Sequence, residues 1–137
     1  DIYNCRSSMT GVHAGLFMAE TPYVFVCGCD TPFLKQVLVE AVLSGLKETV
    51  DIVVPRRTNG WLEPLCAVYA RTCLPAMEAC LRQQKFDIKR IFKQFQVQYM
   101  DEGVLRRVDP ELVSFFNVNT PEDLQLAREM IDKRRTP

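Results

Sequence analysis

The chain has 137 residues, 47% of them apolar and 25% charged, a balance that suits one globular domain with a real core. Lys plus Arg equals Asp plus Glu at 17 each, so no bulk charge draws it to nucleic acid or to an anionic membrane, and any phosphate site must be built locally. An apolar run of about 18 residues is absent and no secretory leader pattern is seen, so neither a membrane-spanning helix nor a signal peptide is expected.

In chain order, Ser7, Ser8 and Gly11 read as a loop opening a short helix in "GVHAGLFMAE", where Val12, Leu16 and Ala19 recur at helical spacing before Thr21-Pro22 stops it. The single histidine, His13, falls in that helix as a surface or packing residue. "YVFVCGC" (23–29) is short and uniformly apolar, the mark of a strand buried on both faces in a parallel sheet. Pro32 then suits the first turn of a helix, with Leu34, Val37, Leu38, Ala41, Val42 and Leu46 as its apolar stripe. "DIVVP" (51–55) reads as a second buried strand, "RRTNGWLEP" as a turn-rich loop, and "LCAVYA" (65–70) as a third strand. "LPAMEACLRQQ" and "DIKRIFKQF" read as two helices, "QVQYM" (96–100) as an outer strand, and "VSFFNV" as a short final strand. Thr120-Pro121-Glu122-Asp123 opens a last helix, with a hydroxyl cap, a proline at its first position and acids in its first turn, running to about Lys133. Strands alternating with helices argue an α/β fold, three-layered with a mostly parallel sheet.

The six cysteines are Cys5, Cys27, Cys29, Cys66, Cys73 and Cys80. They follow no disulfide framework, and several lie inside apolar runs, so they read as reduced thiols of a cytoplasmic protein. Cys27 and Cys29 have no second Cys or His pair of matching spacing, which argues packing over a metal site.

Two stretches carry chemistry. Asp30 stands where a buried strand ends, and in open α/β sheets ligands bind beyond the carboxyl ends of the strands. A carboxylate there can hold Mg²⁺, which takes one or two protein carboxylates and fills its shell with waters and phosphate oxygens. Asp30 as an N-cap for the helix begun by Pro32 is an equal reading of the same residues. Asn117 and Asn119 flank Val118. On a strand over 115–118 both amides point to one side, where they could read a heteroaromatic ring or a phosphate. The competing reading has Asn119 and Thr120 organise the turn into the last helix.

The segments "TGVHAGL", "YVFVCGCDTPFL", "EPLCAVYARTCLPAMEACL" and "FFNVNTPEDL", in this order, resemble the molybdenum cofactor guanylyltransferases from about Ser7 to Met130. The resemblance implies a nucleotide-diphospho-sugar-transferase-like, Rossmann-like fold and transfer of GMP from GTP to molybdopterin, with release of pyrophosphate. It implies that Asp30 binds Mg²⁺ and the nucleotide phosphates, and that Asn117 and Asn119 serve the molybdopterin side. Ser7, Ser8 and Gly11 correspond to a loop beside the guanine pocket, although the family's glycine-proline-leucine-x-glycine reads Ser-Ser-Met-Thr-Gly here. Lys85, Lys89 and Arg90 are its basic candidates, and Glu63-Pro64-Leu65 matches a segment leading to the pterin side; Arg56 and Arg57 match no role. GTP and molybdopterin are the expected partners, with transient contact to cofactor-insertion chaperones or acceptor molybdoenzymes, and no nucleic acid or membrane. The family's glycine-rich phosphate loop has no counterpart among the six glycines, so residues 1–137 are expected to be one nucleotidyltransferase-like domain, incomplete at its N-terminus. Transfer from CTP or to a sugar phosphate stays open as an alternative, as does a non-catalytic truncated binding module.

Overall fold

The computed structural model describes residues 7–135, so Cys5 lies outside the described residues. Its elements are α1 (Ser8–Met18), β1 (Tyr23–Cys27), α2 (Gln36–Leu43), β2 (Ile52–Arg56), β3 (Cys66–Ala70), α3 (Leu74–Arg82), β4 (Val97–Asp101), α4 (Glu102–Leu105) and α5 (Pro121–Arg135), with 3-10 turns at Arg71–Cys73, Ile88–Gln94 and Val113–Phe115. Among the described residues one four-stranded sheet forms, in the order β1-β3-β2-β4.

The strand alternation sorts the core into two layers. Ile52, Val54, Ala67 and Tyr69 face α1, α3 and the Ile88–Gln94 turn, packing with Met9, Leu16, Met77 and Ile91. Val53, Cys66 and Val68 face the other way, onto Leu38 and Val42 of α2 and onto Leu105, Leu112 and Phe115. Helical layers thus cover both faces of the sheet, as the three-layer expectation requires. Three strands share one direction: β1 and β2 both run antiparallel to β3, and β4 runs parallel to β2. The reversed strand is β3, placed between β1 and β2, so two of the three ladders are antiparallel.

Several local expectations are corrected. β1 is half-buried rather than enclosed, because it is an edge strand of this sheet. Pro32 does not open α2. That helix starts at Gln36 after Lys35, where the buried Ser114 hydroxyl accepts the Lys35 N–H at 3.0 Å. Asp30 is therefore not its N-cap. Gly11 lies in the first turn of α1 and not in a loop before it; Ser7 is the cap, its Oγ accepting from the Thr10 N–H at 3.1 Å. "DIKRIFKQF" forms a 3-10 turn rather than an α-helix. The final strand expected in "VSFFNV" is absent: Val113–Phe115 is a 3-10 turn and residues 116–119 are irregular. The reason is Asp109, fully buried, whose carboxylate accepts the N–H groups of Val113 (3.2 Å) and Ser114 (2.9 Å). Those amides are then unavailable to a ladder. His13 is buried, with Nε2 3.3 Å from Glu78 Oε1, and packs between α1 and α3.

The last helix begins as the sequence implies. Thr120 Oγ1 accepts the Asp123 N–H at 3.0 Å, while Asp123 Oδ2 takes the N–H groups of Asn119 and Thr120 at 3.1 and 3.2 Å, a reciprocal capping box.

Candidate active site

The register places the carboxyl ends of β1, β2 and β4 together with the amino end of β3: Cys27 pairs with Cys66 and Arg56 with Asp101. Three loops meet at this edge. Residues 28–35 follow β1, residues 57–65 join β2 to β3, and the segment 109–120 crosses in front. Each is pinned by backbone hydrogen bonds. Gly28 N–H donates to Leu65 O at 3.1 Å, Glu63 N–H to Pro55 O at 3.0 Å, and Val118 N–H to Asp30 O at 2.8 Å. Below them Phe33 is buried against Phe116, ring centroids 6.0 Å apart, with the Arg134 guanidinium 5.2 Å from its own centroid. The loop carrying Asp30 is thereby anchored to the segment that carries Asn117 and to α5.

Between the loops lies a cleft of about 200 Å³, whose walls include Ser8, Gly28, Asp30, Trp61, Glu63, Lys89 and Asn117. It brings together Ser8, Asp30, Lys89 and Asn117 from among the candidate site residues, and the Glu63-Pro64-Leu65 segment singled out in the sequence lines it too. Asn119 is exposed and does not line it; with no strand at 115–118, the two amides do not share a face, and the Asn119 backbone N–H serves the α5 cap instead. Ser7 caps α1, Gly11 is exposed on that helix, and Lys85 and Arg90 are exposed outside the cleft walls.

The Asp30 side chain is half-buried and turns back over Gly28, so that a Cβ built on Gly28 would meet Asp30 Oδ1 at 2.7 Å. Among the described residues it has no hydrogen-bond or ion-pair partner. A carboxylate held at a cleft wall with its oxygens uncommitted fits Mg²⁺, which needs few protein ligands. Among the described residues no group of three or more His, Cys, Asp or Glu side chains could form an all-protein metal cage; Cys27 and Cys29 are free and exposed.

Electrostatics separate the remaining groups. Burial pushes the Cys66 thiol up to about 12, with Glu63 and Cys27 adding to the shift, so it stays protonated and is no nucleophile. Burial also raises Glu63 above the usual carboxylate range, against the pull of Arg57. Arg57 bridges two acids, donating to Glu102 Oε1 at 2.6 Å and to Glu63 Oε1 at 3.4 Å. With Thr58 also donating at 2.7 Å, Glu102 is held down at about 2. This network fixes the root of the loop that presents Trp61. Sequence reasoning gave Trp61 no role and left Arg57 unassigned; an aromatic inside "RRTNGWLEP", where turn residues otherwise dominate, was the available signal.

Comparison with known proteins shows the family and the fold. Residues 1–100 match the model of the MobA-like NTP transferase domain. The molybdenum cofactor guanylyltransferase of Desulfosudis oleivorans is 44% identical over 98% of this chain and 66% of its own length. A probable molybdenum cofactor guanylyltransferase of Natranaerobius thermophilus is 37% identical over 93% of this chain and 62% of its own. In structure, molybdopterin-guanine dinucleotide biosynthesis protein A from Archaeoglobus fulgidus superposes with a TM-score of 0.82 at 34% identity, over 93% of this chain and 64% of that one. The chain thus spans just under two thirds of the length of the relatives it matches.

Proposed function

Because the chain belongs to the MobA-like NTP transferase family, we propose that it carries the metal and acceptor side of an enzyme that transfers GMP from GTP to the terminal phosphate of molybdopterin and releases pyrophosphate. The observation that carries this reading is the uncommitted Asp30 carboxylate, tied through its own backbone to the segment bearing Asn117.

Nucleotidyl transfer needs in-line positioning and charge neutralisation more than a protein nucleophile. The cleft suits that demand, since its thiol, Cys66, is held protonated. Asp30 would hold Mg²⁺ for the nucleotide phosphates. The ion, when bound, offsets the negative charge that grows on the phosphate oxygens during transfer. Lys89 brings an ammonium to the same cleft, 5.5 Å from the Trp61 ring centroid, and a cation there can orient a phosphate. Asn117 offers an amide that both donates and accepts, suited to the acceptor's polar groups. Ser8 adds a hydroxyl from the start of α1. The five described cysteines are free thiols, in keeping with a reducing, cytoplasmic setting.

The direct test supplies the protein with Mg²⁺, molybdopterin and either GTP or CTP, and follows the product by mass. A guanine dinucleotide formed from GTP, with CTP poorly used, supports the proposal. A cytosine dinucleotide, or no adduct from either, overturns it.

A further inference from the structure

Trp61 is 64% exposed, yet its backbone is among the most firmly held in the loop. Arg57 N–H donates to Trp61 O at 2.7 Å, Gly60 N–H to Arg57 O at 2.9 Å, and Trp61 N–H to Asn59 Oδ1 at 3.0 Å. Gly60 sits at φ +86°, a conformation that favours glycine. Leu62 then bridges back to Arg56. A large aromatic side chain thus stands largely exposed on a rigid turn, with the Lys89 ammonium 5.5 Å from its ring centroid, at the wall of a cleft that also holds the Asp30 carboxylate. An exposed indole held this way gives a flat stacking surface at small entropic cost. Two residues on, Glu63 lines the same cleft. Its one side-chain hydrogen bond among the described residues is the long 3.4 Å contact from Arg57, which leaves its second oxygen free.

We propose that Trp61 and Glu63 form a subsite for a planar 2-amino-4-oxo pyrimidine-fused ring, which stacks on the indole and donates its adjacent ring N–H and amino groups to the Glu63 carboxylate. Guanine and pterin both carry that edge, so the chemistry is shared by the nucleotide and the acceptor. The assignment rests on the transferase reading above and adds to it the residues that recognise a ring rather than a phosphate.

The chain contains one tryptophan, so indole emission reports this site directly. GMP and pterin-6-carboxylate are titrated separately against the protein, with N-acetyltryptophanamide as the blank for absorption by the ligand. Saturable quenching by one of them names the source of the ring. In steady-state transfer, Trp61→Ala should raise the KM of that substrate about tenfold and leave kcat within about twofold, Trp61→Phe should recover most of the loss, and Glu63→Gln should raise the same KM. Quenching by neither compound, or a Trp61→Ala enzyme with both KM values unchanged, overturns the proposal. A protein that quenches with a ring compound but transfers no nucleotide would contradict the transferase reading and leave the ring subsite standing.

Discussion

The Val118 N–H donates to the Asp30 carbonyl oxygen at 2.8 Å. One hydrogen bond therefore joins the turn after β1 to the segment before α5, across almost ninety positions of sequence. It holds the backbone of Asp30 still while leaving the carboxylate uncommitted, and it brings the Asn117 side chain to the same cleft wall. An acid meant only to cap a helix would spend its oxygens on backbone amides, as Asp109 and Asp123 do.

Gly28 sets the direction of that carboxylate. A methyl group there would lie 2.7 Å from Asp30 Oδ1, while nothing else in its surroundings comes closer than 3.8 Å. Gly28→Ala should therefore swing the short acidic side chain away with little strain elsewhere. The expected result is a turnover reduced about tenfold or more with a melting temperature changed by only about 1–2 °C. Parallel kcat measurements and thermal melts check it. Unaltered turnover would mean that the direction of the carboxylate does not matter.

Asp109 is the structural counterpart of Asp30. Burial alone would raise its pKa, but the Ser114 backbone and hydroxyl groups, the Lys35 ammonium 3.5 Å away and the Val113 N–H outweigh it, leaving the carboxyl below its ordinary range. An acid with a depressed folded-state pKa stabilises fully above its unfolded value, about 3.9, and the contribution disappears as pH falls through the lower folded value. Asp109→Ala leaves buried amides unpaired and should cost about 3 kcal/mol at neutral pH. Urea melts at pH 7 and pH 3 should show the gap between wild type and variant shrinking at the acid end; a constant gap would contradict this origin.

The strands were legible because their apolar runs are short and bounded by turn residues. β2 and β3 are buried as such runs require. The direction of β3 was not legible, since an apolar run carries no sign of which way it runs beside its neighbours. The start of α5 was visible because its cap is local, contained in Thr120 to Asp123, while its end lies at Arg135, two residues past the expected Lys133. The 3-10 turn at Val113–Phe115 was hidden because its determinants are a buried acid upstream and a left-handed Leu112 at φ +50°. α2 starts late for a similar reason, since Ser114, far along the chain, takes the Lys35 amide. Asp30 and Asn117 could be singled out as candidates because a motif carries each of them, and the structure sets both at one cleft wall. Trp61 could not, because the proposed role depends on a fixed turn that sets an exposed ring at the cleft wall.

The most direct test of the account is the Mg²⁺-dependent rate of pyrophosphate release by Asp30→Asn beside the wild type, with melting temperatures measured on the same samples. The substitution keeps the size of the side chain and removes only its charge. A fall in kcat of about a thousandfold or more, with the fold intact, is the predicted result. Turnover within about twofold of wild type would contradict a metal-holding role for this carboxylate and with it the proposed reaction.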